Sequence, residues 1–218
     1  MRQTFRPTRD AGCHSETSSM AKAHLPVPAK ERGRIAPTKL AHFVRKTSRL
    51  PEMRKWYETV LEAEIILETD NLAFLTYDEE HHRVALIAIP GLRDPESNMA
   101  GTDHIAFTYE SLGDLIFTYK RLKAEEIVPY WCVNHGPTTS FYYRDPDAGA
   151  VELQVDNFAS AQETADWLNG GEFDRNPVGI LIEPEDLISK FEAGVPISEL
   201  TRRPPLPEGK TPFDMVRT

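Results

Sequence analysis

The sequence predicts an α+β fold built from two copies of a strand–helix–three-strand (βαβββ) unit. Three observations carry that reading: a constant offset that superposes the two halves of the central chain, an apolar helical face at the matching place in each half, and short apolar runs after each helix. Of the 218 residues, 40% are hydrophobic and 27% charged, which is enough apolar material for one packed domain with extensions.

The elements follow in order. Residues 40–44 are a short apolar strand. Met53, Trp56, Tyr57, Val60 and Leu61 then recur at helical spacing, with Pro51 suited to a first turn. Strands are expected at 64–67, 72–77 and 83–89. The second copy repeats this order with a strand at 103–108, a helix lined by Leu112, Leu115, Ile116, Tyr119 and Leu122, and strands at 127–131, 140–143 and 151–155. A shift of 62 residues lays His42 on His104, Met53 on Leu115 and Ile65 on Ile127. A shift of 67 lays Phe74 on Phe141, Asp78 on Asp145 and Leu86 on Leu153.

This divides the chain into a tail, 1–37, a repeat domain, 38–156 (copies at about 38–92 and 100–156), and an extension, 157–218. The tail has seven basic and three acidic residues, net +4, and no apolar period. It reads as a disordered segment or an over-extended start with Met20 as initiator, with an organelle-targeting segment as the alternative. The extension holds helices at 159–168 and 185–192, closed by Gly170-Gly171 and Gly194, and a Pro-rich end at 202–210.

Charge and composition exclude several classes. A net charge of −9 argues against nucleic-acid binding, and the longest uncharged apolar run, 84–92, is far short of the ~20 residues a membrane-spanning helix needs. Two cysteines, Cys13 and Cys132, make no disulfide framework and point to a reducing, cytoplasmic setting.

The chemistry rests on repeat symmetry. A lone strand histidine is usually a surface or hydrogen-bonded residue, but His42 and His104 coincide under an offset drawn mostly from apolar residues. Glu152 alternates with Val151, Leu153 and Val155, so it faces away from the core. Two imidazoles and one carboxylate are the facial triad of non-haem Fe(II), with Mn(II) the second choice. Glu152 falls on Ala85 in the first copy, so a symmetric fourth ligand is replaced by a methyl group, leaving that side of a metal open. His82, His135 and Tyr142 are the nearby groups able to move protons. His81 reads as a turn residue, and Tyr77 and Tyr143 as sheet packing.

These residues carry a family resemblance. His135, Phe141, Tyr142, Asp145, Pro146 and Glu152 resemble in spacing the signature of the type I extradiol ring-cleavage dioxygenases of the vicinal oxygen chelate superfamily, with Ala148 where the family has Gly. Leu40-Ala41-His42-Phe43-Val44 and Asp103-His104-Ile105-Ala106-Phe107 are similar to its two histidine-ligand strands, and His81-His82-Arg83-Val84-Ala85 to the strand bearing its base. The resemblance covers about 38–204 and is nearest to the small one-domain 2,3-dihydroxybiphenyl dioxygenases. It implies a half-barrel sheet around Fe(II) on His42, His104 and Glu152, with His82, His135 and Tyr142 as catalytic residues acting on a catechol-type diol and dioxygen, in a homo-oligomer. The division of acid and base between His82 and His135 stays open. Two other readings remain: a same-fold glyoxalase-type lyase or isomerase, which usually has four protein ligands, and a non-catalytic small-molecule binder, which needs no triad.

Overall fold

In a computed structural model, the residues described are 30, 33, 35–93, 96 and 100–217. Most of the tail, with Cys13 and Met20, lies outside them. The chain divides into units Met1–Leu40 and Ala41–Thr218, and the second carries every element below. Among the described residues, no helix is long and apolar enough to cross a membrane.

The first copy comprises β1 (Phe43–Thr47), α1 (Leu50–Leu61), β2 (Glu64–Thr69), β3 (Leu72–Thr76) and β4 (Val84–Ala88). The second comprises β5 (His104–Tyr109), α2 (Leu112–Ala124), β6 (Trp131–Asn134), β7 (Thr138–Arg144) and β8 (Ala150–Asp156). The sheet orders are β1-β4-β3-β2 and β5-β8-β7-β6-β9, with the short ninth strand described below. In each copy the first and last strands pair in parallel across the crossover helix, Val44 opposite Ala85 and Ala106 opposite Glu152. The offsets of 62 and 67 convert one pair into the other, so the duplication is exact at these strands.

The offset fails by one residue at the third strand. Phe74 lies opposite Ala85, but Tyr142, not Phe141, lies opposite Glu152. The paired residues Phe74 and Ala85 are 11 positions apart in sequence and Tyr142 and Glu152 are 10 apart, so the first hairpin is one residue longer between them. Tyr142 is therefore the counterpart of Phe74, and the one-residue slip would turn every side chain to the other face. The expected strand at 127–131 likewise begins only at Trp131, four residues late; Pro129, which has no N–H to give a sheet, lies in the segment before it.

The helices follow their sequence cues. In α1, Met53, Tyr57, Val60 and Leu61 are buried, Pro51 occupies the first turn, and left-handed Glu62 ends the helix. In α2, Ser111 caps the N-terminus by accepting from the Asp114 N–H at 3.1 Å, a bond typically worth about 1 kcal/mol. Both faces enter one core shared with Val84, Leu86, Phe141, Val151 and Leu153.

Polar contacts tie the copies together. Asp145, in the β7–β8 turn, accepts from Arg45 of β1 at 2.7 Å and from Tyr57 of α1 at 3.1 Å. Arg121 of α2 donates to the carbonyls of Thr59 and Val60 at the end of α1. The ring of Phe43, at the start of β1, lies 5.9 Å from that of Phe107 within β5, bringing the two strands into contact.

The extension contains more than its predicted helices. It holds α3 (Ala161–Asn169), α4 (Glu172–Arg175), β9 (Ile180–Leu181), α5 (Pro184–Glu192), α6 (Ile197–Leu200) and a 3-10 turn, Pro212–Met215. Strand β9 pairs antiparallel with β6, Asn134 opposite Ile180, so it covers the edge of the second sheet. The Trp131 indole N–H donates to the Met215 carbonyl at 2.8 Å, and the Asn134 amide to the Thr201 carbonyl at 2.8 Å.

Candidate active site

Two clusters form on the faces turned away from the helices. The first is built on the second sheet. His104 opens β5, and Glu152 projects from the neighbouring β8, where it is only 4% exposed. His104 Nε2 lies 3.0 Å from Glu152 Oε2, and its Nδ1 lies 2.7 Å from Asp103 Oδ2. Tyr142, opposite Glu152 on β7, turns its ring edge-on to His104 at 5.3 Å and stacks on Trp131 at 4.6 Å. His135 Nε2 lies 3.0 Å from the Tyr142 hydroxyl, while its Nδ1 meets the Val178 carbonyl.

The electrostatics of this cluster follow from burial. The Tyr142 hydroxyl is held well above the usual tyrosine range by burial and by the Glu152 carboxylate beside it, so it keeps its proton. The His135 imidazole is pushed down by burial, against the opposing effect of its Val178 acceptor, and is neutral at neutral pH.

The second cluster is built on the first sheet. The ring of His82 stacks flat on Phe74 at 4.3 Å and lies 4.4 Å from His42. His82 Nδ1 is also 2.6 Å from His81 Nδ1. Burial, then His42 and His81, push the His82 imidazole down. The turn residue His81 thus has a contact that its position after Asp78-Glu79-Glu80 did not announce.

The structure therefore brings together His104, Glu152, Tyr142 and His135, and separately His42 and His82. Among the described residues, no three His, Cys, Asp or Glu side chains stand as one metal-holding group. The His104–Glu152 pair nevertheless has the donor chemistry a cation needs. In the tautomer that gives Nδ1–H to Asp103, His104 Nε2 would turn a lone pair, not a proton, toward the carboxylate oxygen. Two acceptors 3.0 Å apart match adjacent ligands on an octahedral ion with bonds of ~2.1 Å. Asp103 is also the outer carboxylate that commonly orients a metal-bound histidine. Neither Asp103 nor Trp131 was singled out from the sequence; adjacency to His104 was the available signal for the first.

The fourth-ligand position agrees with this asymmetry. Ala85 holds in β4 the register that Glu152 holds in β8, and its methyl group is buried. A cavity of about 380 Å³ lies elsewhere, between the start of α2, the end of β8 and helices α5 and α6, and none of the residues above lines it.

The family comparison agrees with this architecture. The model of the Glyoxalase/Bleomycin resistance protein/Dioxygenase superfamily matches residues 39–153. Two curated Rhodococcus globerulus proteins, biphenyl-2,3-diol 1,2-dioxygenase 2 and biphenyl-2,3-diol 1,2-dioxygenase 3, are 45% and 49% identical over 167 residues. Each alignment covers 76% of this chain and 88% of the relative. A solved domain of the same description from Frankia sp. EAN1pec aligns with 56% of this chain and 99% of its own at 19% identity, with a TM-score of 0.47. On the family match and the long alignments, this chain belongs to the Glyoxalase/Bleomycin resistance protein/Dioxygenase superfamily.

Proposed function

We propose that this protein is an extradiol dioxygenase that opens a catechol-type ring, such as that of 2,3-dihydroxybiphenyl, beside the diol and incorporates both atoms of dioxygen. The observation that carries the reading is the His104–Glu152 pair with Tyr142 and His135 aligned on it, in a chain 45–49% identical to biphenyl-2,3-diol 1,2-dioxygenases. His42, His104 and Glu152 would hold Fe(II), with Mn(II) the second choice. That ion would supply Lewis acidity to the two diol oxygens and a path for electron density from ring to dioxygen.

The chain's own residues do the rest. In the tautomer that donates Nδ1–H to His81, His82 presents a bare Nε2 that can take a diol proton. Tyr142 keeps its proton and orients a substrate oxygen by hydrogen bonding. Trp131, stacked on Tyr142, holds that ring in place and limits its contact with water. The methyl group of Ala85 supports this reading over a glyoxalase-type lyase, since the register that would supply a fourth ligand has none to give. A cytoplasmic homo-oligomer completes it. The buried Cys132 thiol is pushed up to about 12 by burial, and the edge strand β2 exposes Ile66 and Leu67.

The test is anaerobic loading with Fe(II), addition of 2,3-dihydroxybiphenyl, then air. A yellow product formed with oxygen uptake is expected, and none with iron demonstrably bound overturns the reading. Glu152→Ala should lose the iron, whereas His82→Ala should keep it and lose on the order of 10²–10⁴ in rate.

A further inference from the structure

The surroundings of His135 come largely from the extension, at three points far apart in sequence. Gly136, at φ 105, has no side chain where a Cβ would collide with the Trp167 ring of α3. The Val178 carbonyl meets His135 Nδ1. Arg203, its guanidinium nearly buried over Trp167, donates from one nitrogen to the His135 carbonyl at 3.1 Å and the Asn176 carbonyl at 2.8 Å. The loop that presents Val178 is organised by Asn176. Its Oδ1 accepts from the Val178 and Gly179 N–H groups, and its Nδ2 donates to the Gly179 carbonyl.

We infer that the extension fixes His135 in its Nδ1–H form, with Asn176 and Arg203 as the positioning residues. A carbonyl can only accept, so the nitrogen facing Val178 must carry hydrogen, and in the neutral ring Nε2 must then be bare. In that form the Tyr142 hydroxyl donates its proton across 3.0 Å to that lone pair. The tyrosine oxygen is left with lone pairs for a substrate hydroxyl. When that hydroxyl gives its proton to the Tyr142 oxygen, the Tyr142 proton passes to His135 Nε2, leaving a substrate oxyanion, a neutral tyrosine and an imidazolium still bonded to Val178. This last step rests on the ring-cleavage reading; the tautomer does not.

Long-range ¹H–¹⁵N spectra of the full chain labelled at histidine, with His135→Gln for assignment, read the tautomer without metal or substrate. His135 should show a pyrrole-like Nδ1 and a pyridine-like Nε2. Asn176→Ala, which removes the loop's bonds, should populate the opposite tautomer, and Asn176→Asp, which retains the Oδ1 acceptor for the Val178 and Gly179 N–H groups but not the donor to the Gly179 carbonyl, should restore the original in part. Turnover of 2,3-dihydroxybiphenyl by the iron-loaded Ala variant should fall roughly 10–100-fold in kcat, with partial recovery in the Asp variant. If Asn176→Ala does not fold, Arg203→Lys takes its place, with the same shift expected. An Nε2–H form in the parent, or a folded Asn176→Ala or Arg203→Lys protein with an unchanged tautomer, overturns the inference. The predicted tautomer in a protein inactive on diols supports it and overturns the ring-cleavage reading alone.

Discussion

His135 joins a sequence signal to a contact that no sequence shows. Its spacing to Tyr142 and Glu152 is visible in the chain, and the strands place the three as that spacing requires. Its partner at Nδ1 is a main-chain carbonyl 43 residues away, and a carbonyl has no letter of its own. The same limit applies to His42 and His82, whose ring contact depends on how two loops approach. The environment of His135 has a consequence for stability. Burial lowers its pKa in the folded chain below the ordinary ~6.5 of the unfolded one, so in the window below that value the unfolded state binds more protons. The stabilisation is complete above pH ~6.5 and is lost as pH falls from there toward the folded value; His82, also lowered, acts in the same sense. The urea midpoint should therefore drop between pH 7.5 and 5.5, and His135→Gln should flatten that dependence. An unchanged slope in the variant would show that His135 is equally easy to protonate in both states.

Among the elements, the β7–β8 turn decides where Glu152 points. The resemblance places Gly where this chain has Ala148, yet the backbone there keeps the left-handed conformation, φ 61, that favours Gly. The turn is held by other means. Asp145 Oδ1 accepts from the Asp147 and Gly149 N–H groups, and the Asp145 N–H donates to the Gly149 carbonyl. A Cβ at Gly149 would meet the Arg45 guanidinium and the Asp145 carboxylate, so a side chain there would displace that ion pair. Ala148 thus carries strain that the closed loop of bonds sustains, and Glu152 keeps its register despite it. Ala148→Gly should raise stability by about 0.5–1 kcal/mol, the left-handed penalty less the entropy a glycine adds to the unfolded chain. Chemical denaturation measures this, and a destabilised variant would mean the methyl group packs usefully. Helices α1 and α2 were legible because five apolar positions at helical spacing cannot suit a strand. Strand β9 was not, because a two-residue ladder, Ile180–Leu181, has no periodicity to read.

At the scale of the molecule, duplication explains both the asymmetry of the site and the need for the extension. Two like units give matching positions to His42 and His104, while Ala85 and Glu152 occupy one register with different chemistry. Joining the two sheets leaves strand edges, and the second copy's outer strand, β6, is covered by β9 and anchored by the Met215 and Thr201 carbonyls. The buried Val133 and Asn134 of β6 are held under that cover. A chain ending at residue 156 would expose the N–H and C=O groups of β6 that now face β9, uncover Val133, and remove the Val178 carbonyl and Arg203 from His135. Open edges and fresh apolar surface pair with other copies. The truncated chain should therefore run as aggregates in light-scattering chromatography, lose the sharp thermal transition of the full chain, and fail to open a diol ring when loaded with Fe(II). A monomeric truncated protein with the parental melting temperature would show that the repeats close their own edges. The extension would then act on His135 alone.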